Sequence, residues 1–244
     1  MAAILRRLEP EQTVKSSTDI GPIISAATDV LGADGLSVSL LTEDEKNELL
    51  WCSGDIARCF EEMQLTLGEG PGPDAVRTGA MVWVPDLART RAERWPVLSM
   101  EAPDLEARAV YCFPLGIGAI RVGVLTAVRR MPGPMSAQQA DDAIAMASVL
   151  TAHCLNHHAL PGTEAGGGPD GPPQVLNAVI HQATGMASAQ LSVPLPQALA
   201  RLQGHAYGSG RSLTEVAKDV VDRRLRLTDQ GNGSPTPPSV VDKD

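Results

Sequence analysis

The 244-residue sequence predicts an α+β fold, in which an antiparallel sheet with flanking helices is followed by an all-α bundle of three helices. Short segments that alternate with period two are interleaved with segments of helical periodicity. A glycine- and proline-rich stretch, 161-PGTEAGGGPDGPP-173, continues neither a helix nor a strand. Three amphipathic helical patterns follow it. We therefore predict a body at 15–160, a linker at 161–173, a small domain at 174–228 and a disordered tail at 229–244.

The body begins with a helix and two strands. Apolar residues recur at helical spacing over 19–31, which predicts a helix. The following segment, 36-LSVSLLT-42, alternates with period two as a strand does, and 48-ELLWCS-53 is predicted to be its hairpin partner. A short helix is predicted at 55–63.

The middle of the body is predicted to contain a loop and three more strands. The segment 68-GEGPGPDAVRTG-79 is interpreted as a loop, because glycine suits positive φ and proline fixes turns. Strands are predicted at 81-MVWV-84, 109-AVYCFPL-115 and 120-IRVGVLTAVR-129, with a turn at 116-GIG-118. A long helix from Ser136 to about His158 closes the body, since alanine and aliphatic residues recur there at helical intervals.

The C-terminal domain has three helical patterns. The first covers 174–190 and the second covers 195–207, where Pro196 falls in the first turn and a glycine follows the end. The third opens with 212-SLTE-215, a capping box, and continues to Leu225. Three amphipathic helices in about fifty residues predict a minimal bundle.

The chain is acidic, with a net charge of −9, but the charge is unevenly distributed. Residues 174–227 carry six basic and three acidic side chains, whereas the remainder of the chain has a net charge of −12. A cationic end on an acidic body is compatible with phosphate binding, although the excess of three charges is a weak signal by itself.

Cysteine usage and the termini indicate a cytoplasmic protein. The four cysteines form no CxxC pattern, so we expect reduced thiols. The N-terminus lacks the order of a signal peptide, and no apolar run is long enough to span a bilayer. We expect no membrane attachment.

The segment 153-HCLNHH-158 is the best candidate for a metal site, because it places His153 with His157, and Cys154 with His158, four residues apart. No carboxylate or further histidine nearby completes a ligand set, and histidines are common near helix C-termini. We therefore expect neither a metal nor a cofactor. No P-loop, no G-x-G-x-x-G after a strand and no Ser-His-Asp spacing is present, so catalysis is not expected.

Seven short motifs follow one another in the body: GEGP at 68–71, TG at 78–79, VPDL at 84–87, RWP at 94–96, FPL at 113–115, GVL at 123–125 and PG at 132–133. In this order they resemble a GAF domain over about 19–158. The resemblance implies a sensory or dimerising module with a pocket between the sheet and the inserted helices. The sequence does not identify a ligand, and no cysteine stands where a bilin would be linked. Trp51, Trp83 and Trp95 are interpreted as core residues.

Small and apolar residues recur in register on the three C-terminal helices: Gln182-Ala183 with Gly185-Met186, then Ala198, Leu202 and Ala206, then Leu213, Val216 and Ala217. Directly after a GAF-like body, this pattern resembles an ANTAR domain, the RNA-binding module of transcription antitermination regulators, over 176–227. The resemblance implies that these helices bind stem-loops in nascent transcripts. It also implies a homodimer in which the GAF-like domain responds to an unknown ligand or signal.

Six residues are the candidates for RNA contact: Gln182, Thr184, Arg201, His205, Arg211 and Lys218. Polar groups would read loop bases while cations hold phosphates. Arg201 and His205 share a face of the second helix, and Arg211 and Lys218 are predicted to share a face of the third. Thr184 stands where the family often has lysine, which weakens or moves one expected phosphate contact. The arginines at 223, 224 and 226 are interpreted as closing the third helix and complementing its dipole.

Gly185 lies in the middle of the first C-terminal helix, where glycine costs about 1 kcal/mol relative to alanine. In the favoured interpretation it lets another helix pack closely, with Leu202 filling the space. In the other, the missing Cβ lets a nucleic acid approach the helix.

Two alternatives to RNA binding are retained. The first is a small-molecule or redox sensor whose C-terminal helices bind a protein partner. It fits the acidic net charge of the chain and the absence of lysine at the position of Thr184. A DNA-binding helix-turn-helix is ranked lower, because its recognition helix would present Glu215, Asp219 and Asp222 to a groove lined by phosphates.

Overall fold

A computed structural model of the chain describes residues 27–42, 47–156, 173–228 and 234–235. Contacts between Cα atoms divide the chain into two compact units. The first consists of Met1–Gln64 with Glu69–Gln174, and the second of Leu65–Gly68 with Val175–Asp244.

The first unit contains a five-stranded antiparallel sheet in the order β2-β1-β5-β4-β3. Its strands are β1 (Gly35–Leu41), β2 (Asn47–Ser53), β3 (Val82–Val84), β4 (Ala109–Ile117) and β5 (Ile120–Arg129). All five predicted strands are confirmed, and so is the β1–β2 hairpin pairing.

Helices flank this sheet. Residues 27–31 are helical, and the remainder of the helix predicted at 19–31 lies outside the described residues. The other helices are α1 (Gly54–Leu67), α2 (Pro71–Thr78), α3 (Pro96–Glu101) and α4 (Ala137–Asn156). Helix α1 is longer than predicted. Short 3₁₀ turns occupy Leu87–Arg89 and Ala102–Asp104.

The prediction of a loop over 68–79 was wrong for most of that segment, because helix α2 occupies it. Pro71 is the first residue of the helix, where a missing backbone N–H is no loss. Gly79 ends the helix in the left-handed conformation and donates its N–H to the carbonyl of Ala75. The prolines and glycines therefore mark the two ends of a helix.

The main core lies between one side of the sheet and the helical residues at 27–31 and in α4. Alternate residues of β1 supply it, with Leu36 and Val38 facing this core, while Ser37 and Ser39 are buried on the other side. The larger members of the core cluster are Leu31, Leu36, Trp51, Tyr111, Phe113, Leu115, Leu125 and Leu150.

The second unit contains three helices, α5 (Pro173–Leu191), α6 (Leu195–Gly208) and α7 (Leu213–Val221). Their buried side chains form one cluster, made mostly of alanine, valine and leucine. A pair of two-residue strands, β6 (Leu225–Arg226) and β7 (Ser234–Pro235), follows. The capping box predicted at the start of the third helix is confirmed, with Ser212 and Glu215 bonded reciprocally.

The third helix is shorter than predicted. It ends at Val221, and Arg223 adopts a φ of +59°, which breaks the helical path. Arg224 and Arg226 therefore follow the helix and do not close it. The guanidinium of Arg224 instead bonds the carboxylates of Asp219 and Asp222.

Substitution Gly123→Ala is expected to destabilise the first unit by about 3 kcal/mol. Gly123 is buried on β5, and a Cβ there would overlap the carbonyl oxygen of Ser39 and lie 2.9 Å from Cα of Leu40. Thermal and urea unfolding of the full chain would measure the change. The matched variant Gly185→Ala should instead gain about 1 kcal/mol, because it replaces a helical glycine that has nothing within 4 Å. Equal effects of the two substitutions would contradict this account.

Candidate functional site

Glu69 joins the GEGP turn to helix α3. Its Oε1 accepts hydrogen bonds from the backbone N–H groups of Val97 and Leu98, each at 2.8 Å. These are first-turn N–H groups that have no partner within the helix. Gly70 next to it has a φ of +145°, which side chains rarely adopt. A glycine and an acidic residue thus fix the path of the chain from α1 to α2, and the position of α3.

A polar network lies on the side of the sheet opposite the main core. Ser37 donates to Glu61 Oε1 at 2.6 Å, and Gln64 donates to Glu61 Oε2 at 3.3 Å. Gln64 in turn accepts from the N–H of Gly72 at 2.8 Å, which connects α1 to α2. Burial raises the pKa of Glu61, and the hydrogen bonds from Ser37, Thr126 and Gln64 oppose that rise. All of these partners are neutral, so the ionised carboxylate has no compensating cation among them.

The RWP motif holds the segment between β3 and α3. Arg94 bonds Asp74 of α2 at 3.1 Å, and its guanidinium carbon lies 4.4 Å from the centroid of the Trp95 ring. Burial acts to raise the pKa of Asp74, but hydrogen bonds from Arg77 and Arg94 outweigh it and lower that pKa. Pro96 then starts α3. The motif residues therefore have a structural role: Arg94 packs on Trp95 and connects this segment to α2 through Asp74.

These elements border a cleft of about 810 Å³ beside β3, which we call the edge cleft. It is lined by residues 83–86, 89–91, 93–95 and 132–133. Trp83 lines it with 45% of its surface exposed, and its ring meets that of Tyr111 edge-on at 6.1 Å. The interpretation of Trp83 as a core residue was therefore wrong, whereas Trp51 and Trp95 are buried.

Three of the four cysteines, Cys59, Cys112 and Cys154, have environments that disfavour the thiolate. Burial and the nearby Glu62 raise the pKa of Cys59. Burial also raises the pKa of Cys112, and that of Cys154 to about 11. A thiolate is the reactive form of cysteine, so none of these three side chains has the surroundings of an activated nucleophile.

The candidate metal cluster is only partly described. Cys154 is buried, whereas His157 and His158 lie outside the described residues. In the part of the chain that the structure covers, no group of three or more His, Cys, Asp or Glu side chains could hold a metal ion. The four-residue pairing predicted for 153–158 stays a prediction.

Four of the predicted RNA-binding residues remain accessible in the second unit. Gln182 on α5, Arg201 on α6 and Lys218 on α7 are exposed, and His205 is half-buried one turn after Arg201. Thr184 is 3% exposed, and its hydroxyl donates to the carbonyl of Ile180. A direct contact between Thr184 and RNA is therefore incompatible with this structure.

Arg211 does not share a helix face with Lys218 as predicted. It precedes the N-cap of α7 and bonds Asp219 at 2.7 Å. Asp219 accepts from Arg224 as well, and hydrogen bonds from Arg211 and Arg224 lower its pKa. Arg211 therefore joins the start of α7 to its last turn, with its charge balanced by a carboxylate.

Gly185 is exposed, and a Cβ at this position would meet nothing within 4 Å. The favoured interpretation, in which Leu202 fills the space beside Gly185, was wrong. The close helix contact falls on the neighbouring buried residues Ala183 and Ala187 instead.

Comparison with known proteins gives matches for the fold alone. No family model matches the chain, and no curated protein matches it. The GAF domain of a phosphoenolpyruvate-protein phosphotransferase from Coxiella burnetii is 16% identical, with a TM-score of 0.50 over 65% of this chain and 94% of that one. The corresponding GAF domain from Acinetobacter is also 16% identical, with a TM-score of 0.49 over 67% and 97%. Free methionine-R-sulfoxide reductase from Neisseria meningitidis is 16% identical, with a TM-score of 0.43 over 55% and 74%.

The first unit therefore has the fold of a GAF domain, as the seven motifs implied. The Coxiella burnetii domain supports this statement for the sheet and its flanking helices. Within the described ranges, no helix combines the length and apolar content that a bilayer crossing requires.

Substitution Glu69→Ala is expected to destabilise the first unit by about 1 to 2 kcal/mol, because it removes the acceptor for two N–H groups at a helix start. Glu69→Gln keeps an amide oxygen in place and should cost less. Chemical denaturation of the full chain followed by tryptophan fluorescence would measure both. A loss of stability in Glu69→Gln equal to that in Glu69→Ala would contradict the capping role.

Substitution Glu61→Gln is expected to stabilise the first unit at neutral pH and to have little effect at pH 4. The raised folded-state pKa means that the folded state holds the proton more tightly than the unfolded state does. Stability from the protonated carboxyl is then lost as the pH rises from about 4.3, the ordinary value, through the folded pKa. Unfolding free energies at several pH values would reveal the difference. A stabilisation by Glu61→Gln that does not depend on pH would refute the assignment.

Proposed function

We propose that this chain is a signal-responsive regulator whose C-terminal helices bind stem-loops in nascent RNA. Binding would favour one RNA hairpin over a competing terminator hairpin, so that transcription continues past that point. The GAF fold of the first unit supports the sensory half of the proposal. The resemblance of the three helices to an ANTAR domain supports the RNA-binding half.

The observation that carries the RNA-binding proposal is the set of polar and cationic side chains left accessible on the three helices of the second unit. Arg201 and His205 lie one turn apart on α6, and Lys218 is exposed on α7. Cations in such positions neutralise phosphates, which supplies affinity without sequence preference. The exposed amide of Gln182 offers both a donor and an acceptor for an unpaired loop base.

The same proposal includes a homodimer, with α4 as its contact. Ile144 and Leu155 are exposed apolar residues on this helix, eleven residues apart and therefore close to one face of it. Two subunits would present two RNA-binding surfaces, which suits a pair of adjacent stem-loops. A ligand of the first unit would act only by binding two states of the dimer differently.

A second candidate function is a sensor whose C-terminal helices bind a protein partner. It is favoured by the neutralisation of Arg211 and Arg224 by Asp219 and Asp222, which reduces the charge available for phosphates. The exposed Leu195 and Tyr207 on α6 would contribute apolar contact to such a partner.

We also propose that the chain is not an enzyme and that it acts in the cytoplasm. The raised thiol pKa values of Cys59, Cys112 and Cys154 support the first statement, since they disfavour nucleophilic or redox chemistry at these residues. The cytoplasmic location follows from the proposed function, because the protein must reach nascent transcripts.

RNA binding is tested by fluorescence polarisation of the full chain with a labelled RNA that carries two adjacent stem-loops. We expect binding that weakens with salt, and a several-fold loss of affinity in Arg201→Ala and in Lys218→Ala. Each substitution should reduce the magnitude of the slope of log affinity against log salt by about 1, because one phosphate contact is removed.

The matched control is Arg121→Ala, an exposed arginine on β5 in the first unit, which should bind as the unaltered chain does. Equal affinity for an RNA of the same length without stem-loops would contradict the proposal. The absence of binding in dilute buffer would also contradict it, and would leave the protein-partner function as the better account.

A further inference from the structure

Two buried polar atoms of the first unit lack partners and belong to residues that line the edge cleft. Among the described residues, four buried side-chain atoms have no hydrogen-bond partner: Thr90 Oγ1, Trp95 Nε1, Arg108 Nε and Arg129 Nε. The two guanidinium groups make hydrogen bonds through their other nitrogens. Thr90 and Trp95 have no such alternative, and both line the cleft.

An unpaired buried donor is unfavourable. The indole of Trp95 is 2% exposed and has one polar atom, an N–H that can only donate. The hydroxyl of Thr90 can also donate. Both atoms are closed off from solvent, so an acceptor of a molecule in the cleft would reach them through a small shift of the lining side chains. Such a bond would remove the penalty of leaving them unpaired. The cleft is therefore suited to a ligand rich in acceptor oxygens.

Trp83 adds a flat apolar surface to the same cleft. Its ring is about half exposed, and the edge-on contact with Tyr111 holds it in place. Large aromatic rings that are fixed and partly exposed provide stacking surfaces for planar ligands. Pro85 and Pro132 extend the apolar lining.

The charges around the cleft favour an anion. Asp86 is shared between Arg89 and Arg108, at 3.4 and 3.2 Å, so its negative charge is neutralised. Arg94 is held by Asp74. Arg91 and Glu93 are both exposed and both line the cleft. The guanidinium of Arg91 would bind a carboxylate of the ligand. The carboxylate of Glu93 would repel a ligand with a larger negative charge.

We propose that the edge cleft binds a small planar aromatic carboxylate. Its ring would stack on Trp83, and its oxygens would accept hydrogen bonds from Thr90 and Trp95 and meet the guanidinium of Arg91. The cleft volume of about 810 Å³ lies within the range of small-molecule sites. This inference deepens the sensory half of the proposed function and rests on it for its biological meaning, but not on RNA binding.

The test is an NMR titration of the ¹⁵N-labelled full chain with 2-naphthoate as the probe. The chain has three tryptophans, so three indole N–H signals are expected, and a Trp→Phe substitution at each position assigns them. We expect saturable shifts of the Trp83 and Trp95 signals and little change at Trp51. A Kd on the order of 1 mM is expected for a probe of this size.

Three further measurements test the chemistry of the site. The neutral isostere 2-naphthamide should bind at least fivefold more weakly, and inorganic phosphate should not reproduce the Trp83 shift. Arg91→Gln should weaken 2-naphthoate binding at least fivefold, while the exposed arginine variant Arg121→Gln should bind normally. Thr90→Val should also weaken binding.

If 2-naphthamide bound as tightly as 2-naphthoate, the proposal that the ligand is an anion would be overturned. If phosphate produced the same shifts as 2-naphthoate, the proposal that the ligand is aromatic would be overturned. The absence of a shift at Trp95 would overturn the site itself. Stem-loop affinity is measured on the same protein without the probe, so a failure of RNA binding and a failure of this site are distinguishable.

Discussion

The two hydrogen bonds that Glu69 accepts from the start of α3 organise the edge of the first unit. They connect the turn after α1 to a helix that begins 27 residues later in the chain. Gly70 allows the backbone to turn beside this carboxylate, and Pro71 starts α2 immediately after it. Arg94, just before α3, forms an ion pair with Asp74 of α2. Motif residues that are far apart in sequence thus form one local arrangement, which positions β3 and the residues that line the edge cleft.

The strands could be predicted from the sequence because each side of the sheet has its own chemistry. In β1, leucine and valine face the main core while Ser37 and Ser39 face the opposite side, which produces the period-two signal. Helix α2 could not be predicted in this way, because its eight residues begin with Pro-Gly-Pro and resemble a turn. The network around Glu61 was also missed. Ser37 and Glu61 are 24 residues apart, so no local pattern signals their contact.

In the second unit, the spacing of small buried residues predicted the three helices. It did not predict the roles of the charged residues. Arg211 and Arg224 both form ion pairs with Asp219, and α7 ends at Val221, earlier than the apolar spacing indicated. Thr184 follows Ala183 on α5 and is buried like it, and its hydroxyl donates to the carbonyl of Ile180. Of the cationic residues proposed for RNA contact, Arg201 and Lys218 remain exposed and His205 is half-buried. A regulator with few cations would depend on the shape of its RNA and on binding through two subunits.

The most direct test of the proposed function is sequencing of RNA crosslinked to the full chain in cells, compared with a double variant carrying Arg201→Ala and Lys218→Ala. The account predicts enrichment of leader transcripts that contain paired stem-loops ahead of a terminator, and loss of that enrichment in the double variant. Recovery of the same RNA by both proteins, or of RNA without stem-loops, would contradict it.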